Sequence, residues 1–170
     1  FSQKELEKEN PGKEDIYPVG TLCEVRHIRR FDNFLRVKFR GIKRVKLNNW
    51  INGSLSDLAE VEILESEKQD AVEEEALIRM IADELDRMQG QDRFVTKEIV
   101  MEISKGMGGE FLSDKAVQGL PLDIERKQQY LETLGVNDRL MMLLQDMAKG
   151  KKMSEVEQQI NETVKERIDQ

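Results

Sequence analysis

The sequence is nearly bare of the residues that most catalytic centres are built from. It holds one histidine, His27, and one cysteine, Cys23, in 170 residues. A single cysteine has no internal partner, so the chain reads as a protein of a reducing compartment. Strict strand alternation puts Cys23 at an inward position and His27, four residues on, on the same face. Two ligands do not hold a zinc ion that takes four. A Ser-His-Asp arrangement would have to use His27, and no nucleophile elbow accompanies it. No G-x-x-x-x-G-K-[ST] phosphate loop occurs; the glycine-rich stretch 106–109 lacks the lysine and reads as a plain loop. Aromatics make up only 5% of the chain, against a large aromatic-lined cavity. No apolar run approaches the ~18 residues of a membrane span, and no signal-peptide pattern opens the chain. The expectation is a cytoplasmic chain with no membrane partner and no cofactor or metal of its own.

What the chain does have is charge, unevenly spread. Charged residues are 36% and apolar residues 38%, enough for a thin core. The net charge of −7 conceals nine Lys/Arg against two acids in residues 24–46, then eight acids against one lysine in residues 60–75. An acidic chain is not steered to nucleic acid as a whole, but a local basic patch can be. The acidic run lacks the spacing of a calcium loop and reads as a solvated strand-to-helix linker.

Residues 15–41 organise the first half. Leu35, Val37 and Phe39 alternate with Arg36, Lys38 and Arg40, the period of two of a half-buried strand. The Asp32-Asn33 pair between Phe31 and Phe34 predicts a tight hairpin turn, in which Asn33 tolerates the positive φ required. Further strands are predicted over 21–28, 42–47 and 58–64, with a turn at Asn52-Gly53. In the last, Ala59, Val61 and Ile63 face inward, and Glu60 and Glu62 are placed across from Arg44 and Lys46. From Asp70 the period becomes helical: Leu77, Ile81, Leu85 and Met88 fall on one stripe, with Gly90 as a stop. Thr96 caps a second helix carrying Ile99, Val100 and Ile103. A third covers 111–118, Asp123 caps a fourth that runs up to Gly135, and Asn137 caps the fifth. The methionines Met80, Met88, Met101, Met141, Met142 and Met147 sit on or beside these stripes and read as core. In the fifth helix Leu140, Leu143, Leu144 and Met147 form one stripe, while Met153, Val156, Ile160 and Val164 form another on roughly the opposite side. The switch falls at Gly150. Glycine costs only about 1 kcal/mol in a helix interior, so the helix is expected to run on and offer a new face.

Several stretches form an ordered set: Asn10-Pro11-Gly12, residues 14–21 and 36–44 in the first half, and Leu120-Pro121-Leu122, Lys127-Gln128, Tyr130-Leu131-Glu132 and Val136-Asn137-Asp138-Arg139-Leu140 in the second. In their order and spacing these resemble the N-terminal substrate-recognition domain of the ATP-dependent Lon proteases. The resemblance implies an α+β fold: an antiparallel, PUA-like β-subdomain over 1–66, a helical bundle over 67–149, and an extension of the last long helix over 150–170 toward an ATPase part. A chain opening on Phe1 without an initiator Met reads as cut from something longer. The resemblance implies a preceding segment of strands and a helix that completes the barrel, without which the sheet keeps an open edge.

The resemblance also implies a role. The fragment would capture unfolded or degron-bearing proteins and support a homohexamer, as part of a quality-control protease acting on misfolded and regulatory proteins. ATP and Mg, the AAA+ motor and a Ser-Lys serine-protease dyad would belong to other parts of the parent. The parent would be bacterial and cytoplasmic, or of the mitochondrial matrix if eukaryotic. In the family the hairpin turn is commonly Pro-Asp-Gly-Thr, whereas here Asn33 and Phe34 replace the last two. Exposed aromatics at a turn usually mean a partner, which makes Phe31, Phe34 and Trp50 candidate substrate contacts. Val156, Ile160 and Val164 are candidate inter-subunit contacts. Two alternatives stand beside this: a DNA- or RNA-binding module using Arg36, Lys38, Arg40, Arg44 and Lys46, or a stand-alone Lon-domain binding protein.

Overall fold

The computed structural model describes residues 1–54, 56–88 and 97–168. Three antiparallel strands in the order β1-β2-β3 form an open sheet: β1 (Val19–Arg30), β2 (Leu35–Ile51) and β3 (Leu58–Leu64). Among the described residues five α-helices follow: α1 (Ala71–Met88), α2 (Lys97–Ser104), α3 (Gly109–Gly119), α4 (Ile124–Glu132) and α5 (Val136–Ile168). The expected α+β class is what is seen, with the sheet unclosed. The stop expected at Gly90 and the cap expected at Thr96 lie outside the described residues.

The strands at 35–40 and 42–47 are one continuous β2, which runs on to Ile51 through part of the expected linker. Gly41 does not end it. Gly41 pairs with Cys23 and Lys43 with Leu22, so Ile42 is an extra residue in a bulge. Glycine inside a strand often marks such a site. A second bulge between Val25 and His27 resets the alternation in β1. Cys23 (opposite Gly41) and His27 (opposite Lys38) therefore do not share a face, and Cys23 is exposed rather than inward. A third irregularity at Asn48 sets Glu60 across from Asn49 rather than Arg44, while Glu62 does face Lys46. The hairpin closes through the Phe31 N–H donating to the Phe34 carbonyl at 2.9 Å. No described non-glycine residue has positive φ, so Asn33 does not use the left-handed geometry expected of it.

The chain divides into two compact units. One comprises residues 1–67 with 123–134, the other 68–122 with 135–170. Residues 123–134, expected in the helical bundle, thus belong with the sheet. Asp123 caps α4 by accepting from the Arg126 N–H at 2.7 Å, as its sequence predicts. α4 ends at Glu132 with Thr133 as its C-cap, short of Gly135. Buried Gln128 explains the attachment, because its side-chain amide donates to the Val19 carbonyl at 2.9 Å. Val45 and Leu47 on β2, Ile16 and Tyr130 form the buried apolar part of this unit. The N-terminus is latched beside them. Tyr17 N–H donates to the Ser2 carbonyl, Lys4 N–H to the Asp15 carbonyl, and the Phe1 ring lies against Gly20.

In the second unit the helical stripes do what their spacing demands. Leu77, Ile81 and Leu85 of α1 pack with Leu112, Ala116 and Val117 of α3 and Leu140, Leu143 and Met147 of α5 as the buried core. Of the methionines expected there, only Met147 is fully buried; Met80, Met101 and Met141 are exposed. Asn137 is not the cap of α5, which begins at Val136. Instead Gln69 Oε1 accepts from the Asn137 N–H (2.9 Å) and the Asp138 N–H (3.3 Å). Asn137 is drawn inside because its side chain donates to the Asp70 carbonyl and the Glu73 carboxylate. Fully buried Arg139 donates to Ser113 Oγ at 3.2 Å. The helix continues through Gly150, and every side chain from 148 to 165 is exposed.

Two of the helical glycines, Gly109 and Gly150, should respond oppositely to alanine. At Gly109 a Cβ would lie 2.7 Å from Leu140 Cδ1 and 2.8 Å from Glu74 Oε1. Gly109→Ala is expected to cost about 1–3 kcal/mol in urea denaturation. At Gly150 nothing lies within 4 Å, so Gly150→Ala should raise helicity by circular dichroism and stabilise α5 by up to ~1 kcal/mol. A second expectation concerns the N-terminal latch. Lys8 Nζ meets Asp15 Oδ1 at 2.6 Å, and Asp15 also accepts from the Gly12 N–H. The Lys8 hydrogen bond foremost, then that of Gly12, holds the Asp15 carboxyl below its ordinary range, and Asp15 raises Lys8. A lowered carboxylate contributes above its unfolded pKa and loses the contribution as pH falls through its folded one. The raised lysine contributes below its own ordinary range and loses this at higher pH. In an NMR titration the Gly12 amide shift should be flat from about pH 5 to 9 and move only below the normal carboxylate range. Lys8→Ala should bring that midpoint up.

Candidate functional site

β3 pairs only with residues 44–51 of β2. Beyond the Cys23–Gly41 pair the sheet is therefore a two-stranded ribbon ending in the Phe31–Phe34 turn. Directly opposed residues of an antiparallel pair share a face. Val25 opposite Phe39 and Ile28 opposite Val37 make one face apolar, and Glu24–Arg40, His27–Lys38 and Arg29–Arg36 make the other polar. Leu35, Val37 and Phe39 keep the common face the sequence predicts, but that face is not a core. Val25, Ile28, Leu35 and Phe39 are 52%, 61%, 56% and 58% exposed. Alternation reveals which side chains share a face and is blind to whether anything covers it. This exposed ladder is the part of the site that the sequence misassigns.

At the tip the Phe31 and Phe34 rings stack with centroids 4.6 Å apart, and the Arg36 guanidinium lies 5.7 Å from the Phe31 ring centre. Both rings remain substantially exposed. The tip joins the apolar ladder into one surface that runs from Val25 to Phe31 on one side of the hairpin and from Phe34 to Phe39 on the other. Contiguous exposed apolar area of this kind marks an interaction site.

The polar face is unevenly neutralised. Glu24 pairs with Arg26 and Arg40, each at 3.2 Å. Among the described residues Arg29, Arg36 and Lys38 have no ion pair. Arg29 faces Arg36, and its Nε approaches His27 Nε2 at 3.4 Å. Like charges set directly opposite destabilise a ribbon.

The other sequence candidates are scattered. Trp50 lies near the far end of β2, sixteen residues from Phe34, on the order of 50 Å along a strand. It is half-buried, opposite Ala59, and donates to Asn52 Oδ1 at 2.8 Å. Of the five basic candidates, Arg44 is buried and Lys46 faces Glu62. Only Arg36, Lys38 and Arg40 share the arm. Val156, Ile160 and Val164 lie along the exposed part of α5 with Met153, each about half exposed or more. Many residues that carry the family resemblance are buried: Gln128, Tyr130, Val136, Asn137, Arg139 and Leu140 hold the fold rather than a ligand. Among the described residues no cluster of His, Cys, Asp and Glu is placed to hold a metal ion, and no helix is long and apolar enough to cross a membrane.

Comparison with known proteins accords with this architecture. The family profile described as the ATP-dependent protease La (LON) substrate-binding domain matches residues 1–149. The Lon protease of Syntrophomonas wolfei is 30% identical over 169 residues, covering 99% of this chain and 21% of that protein. That of Fervidobacterium nodosum is 32% identical over 171 residues, again 99% and 21%. The chain thus spans about a fifth of the length of these relatives. Among solved structures, the N-terminal domain of a Mycobacterium avium complex Lon protease superposes with a TM-score of 0.64 at 22% identity, covering 81% of this chain and 74% of that one. At that identity the likeness speaks to fold.

Proposed function

Since this chain belongs to the family of ATP-dependent protease La (Lon) substrate-binding domains, we propose that it captures unfolded or degron-bearing polypeptides for a Lon-type serine protease. The observation that carries the reading is the exposed apolar arm from Val25 to Phe39, capped by the stacked Phe31–Phe34 pair. A reader of unfolded chains needs an accessible apolar surface tolerant of many sequences, and a two-stranded ribbon uncovered on that face offers one. Phe31 and Phe34 are its anchors; Trp50, distant and hydrogen-bonded, is a secondary contact. ATP with Mg and peptide-bond cleavage are assigned to other parts of a bacterial-type cytoplasmic protein.

The second part of the proposal is oligomer support. Met153, Val156, Ile160 and Val164 repeat at spacings of three, four and four on the exposed length of α5. Such a seam is what one helix presents to another, and a homohexamer is the assembly it would serve. The DNA-binding alternative has less behind it, because Arg40 is paired with Glu24, Arg44 is buried and Lys46 faces Glu62.

Phe31→Ser with Phe34→Ser is expected to weaken binding of a permanently unfolded test protein about tenfold or more, ~1.4 kcal/mol, with an unchanged circular dichroism spectrum. Unaltered affinity removes the tip from the site. A chain ending at Lys149 should contain fewer copies per particle than the full chain at the same concentration, read as sedimentation-equilibrium mass divided by chain mass; an equal number of copies ends the role of the α5 seam. Duplex DNA binding, if it occurs, should weaken with salt at a log–log slope near −0.9 for each phosphate neutralised, and a flat response excludes it.

A further inference from the structure

Resting on the reading of the arm as a polypeptide reader, we propose how it reads: the outer edge of β1 over residues 25–30 takes an extended segment by strand addition, and the favoured segment alternates acidic and apolar side chains. β1 pairs on one side only, with β2. Its other edge is, among the described residues, an unpaired row of backbone donors and acceptors. Such an edge is a template for another extended chain.

The two faces of the ribbon then set which chain fits. A strand added beside β1 continues both faces, because its side chains alternate with the same period. On one face its immediate neighbours are the exposed Val25 and Ile28 of β1, backed across the ribbon by Phe39 and Val37, with Arg30 opposite Leu35 at the tip end. On the other its neighbours are His27 and Arg29 of β1, backed by Lys38 and Arg36 of β2; Arg29 is set against Arg36, and none of Arg29, Arg36 and Lys38 forms an ion pair among the described residues. Carboxylates at every second position of the incoming strand would relieve that repulsion while the intervening residues cover the apolar ladder. The same charges select against a second copy of the arm, since edge-to-edge pairing of two β1 strands would bring the Arg26, Arg29 and Arg30 cations of the two copies onto one short ribbon. Discrimination by repulsion as well as attraction is how specific surfaces usually work. The partner is therefore an acidic, strand-forming polypeptide segment rather than a second arm.

The test uses the full chain and labelled ten-residue peptides, read by fluorescence anisotropy. One peptide alternates Glu and Val; a second has the same composition in two blocks; a third alternates Lys and Val. The alternating acidic peptide should bind at least tenfold tighter than the other two. N-methylating every second residue should abolish binding for one of the two possible sets, the one whose N–H groups face β1, and spare the other. Arg29→Glu with Arg36→Glu should reverse the preference, so that the lysine peptide now binds tighter, which a merely unfolded variant would not do. Equal binding of the alternating and blocked peptides, or equal effects of the two methylation sets, overturns strand addition. Binding by the wild-type chain that the charge reversal does not invert overturns the acidic preference. In parallel the unfolded test protein is measured: if it binds while the peptides do not discriminate, only this inference falls, and if it does not bind at all, the polypeptide-reader reading falls too. Concentration-dependent dimers that persist in a chain ending at Lys149, where the α5 seam is gone, and that Arg29→Glu with Arg36→Glu strengthens would identify a second copy as the occupant of the β1 edge and overturn the proposal.

Discussion

A strand in water needs something against at least one of its faces, and β2 is supplied with it along only part of its length. At the end where β3 adds a third strand, Val45 and Leu47 are buried and the Leu47 N–H reaches back to the Pro18 carbonyl at 2.8 Å. Toward the Phe31–Phe34 turn the same strand continues with a single neighbour. An isolated hairpin is marginal in water, so the outer ribbon depends on its anchored base. The bulges at Ile42 and beside Arg26 fall in that transition, where a local increase in twist separates the packed part of the ribbon from the bare part.

The helical unit rests on a different kind of constraint. Its core is ordinary apolar packing, but the start of α5 is fixed by polar groups brought together across sixty or more residues of sequence. Gln69 receives two backbone N–H groups from α5 and donates to Asp138, while Asn137 reaches back to Asp70 and Glu73. Unpaired donors at a helix start are costly when buried. Meeting them from the chain preceding α1 couples the two helices at their beginnings, as Leu77, Ile81, Leu140 and Leu143 couple them along their lengths.

Much of this was legible in the sequence, and the failures share a cause. Periodicity located the helical stripes, the α4 cap at Asp123 and the hairpin, because these depend on residues near one another in the chain. It could not see the bulges, which shift Cys23, His27 and Glu60 from their expected partners, because a bulge is decided by pairing with the other strand. Nor could it see that Asn137 would surrender the capping role to Gln69. The exposure of the arm's apolar ladder is hidden for the same reason: Leu35, Val37 and Phe39 announce the common face of a half-buried strand, and only the fold shows Leu35 and Phe39 more than half exposed. The motifs that carry the family resemblance turned out to be mostly buried structural groups, so the legible signature and the candidate site occupy different residues.

The exposed thiol of Cys23 sits where the ribbon loses its third strand, opposite Gly41. With no second cysteine in the 170 residues, it is a natural attachment point for a spin label or dye. A probe there would sit at the junction between the three-stranded and two-stranded lengths of the hairpin, so its environment would report whether a ligand covers the arm without any engineered residue.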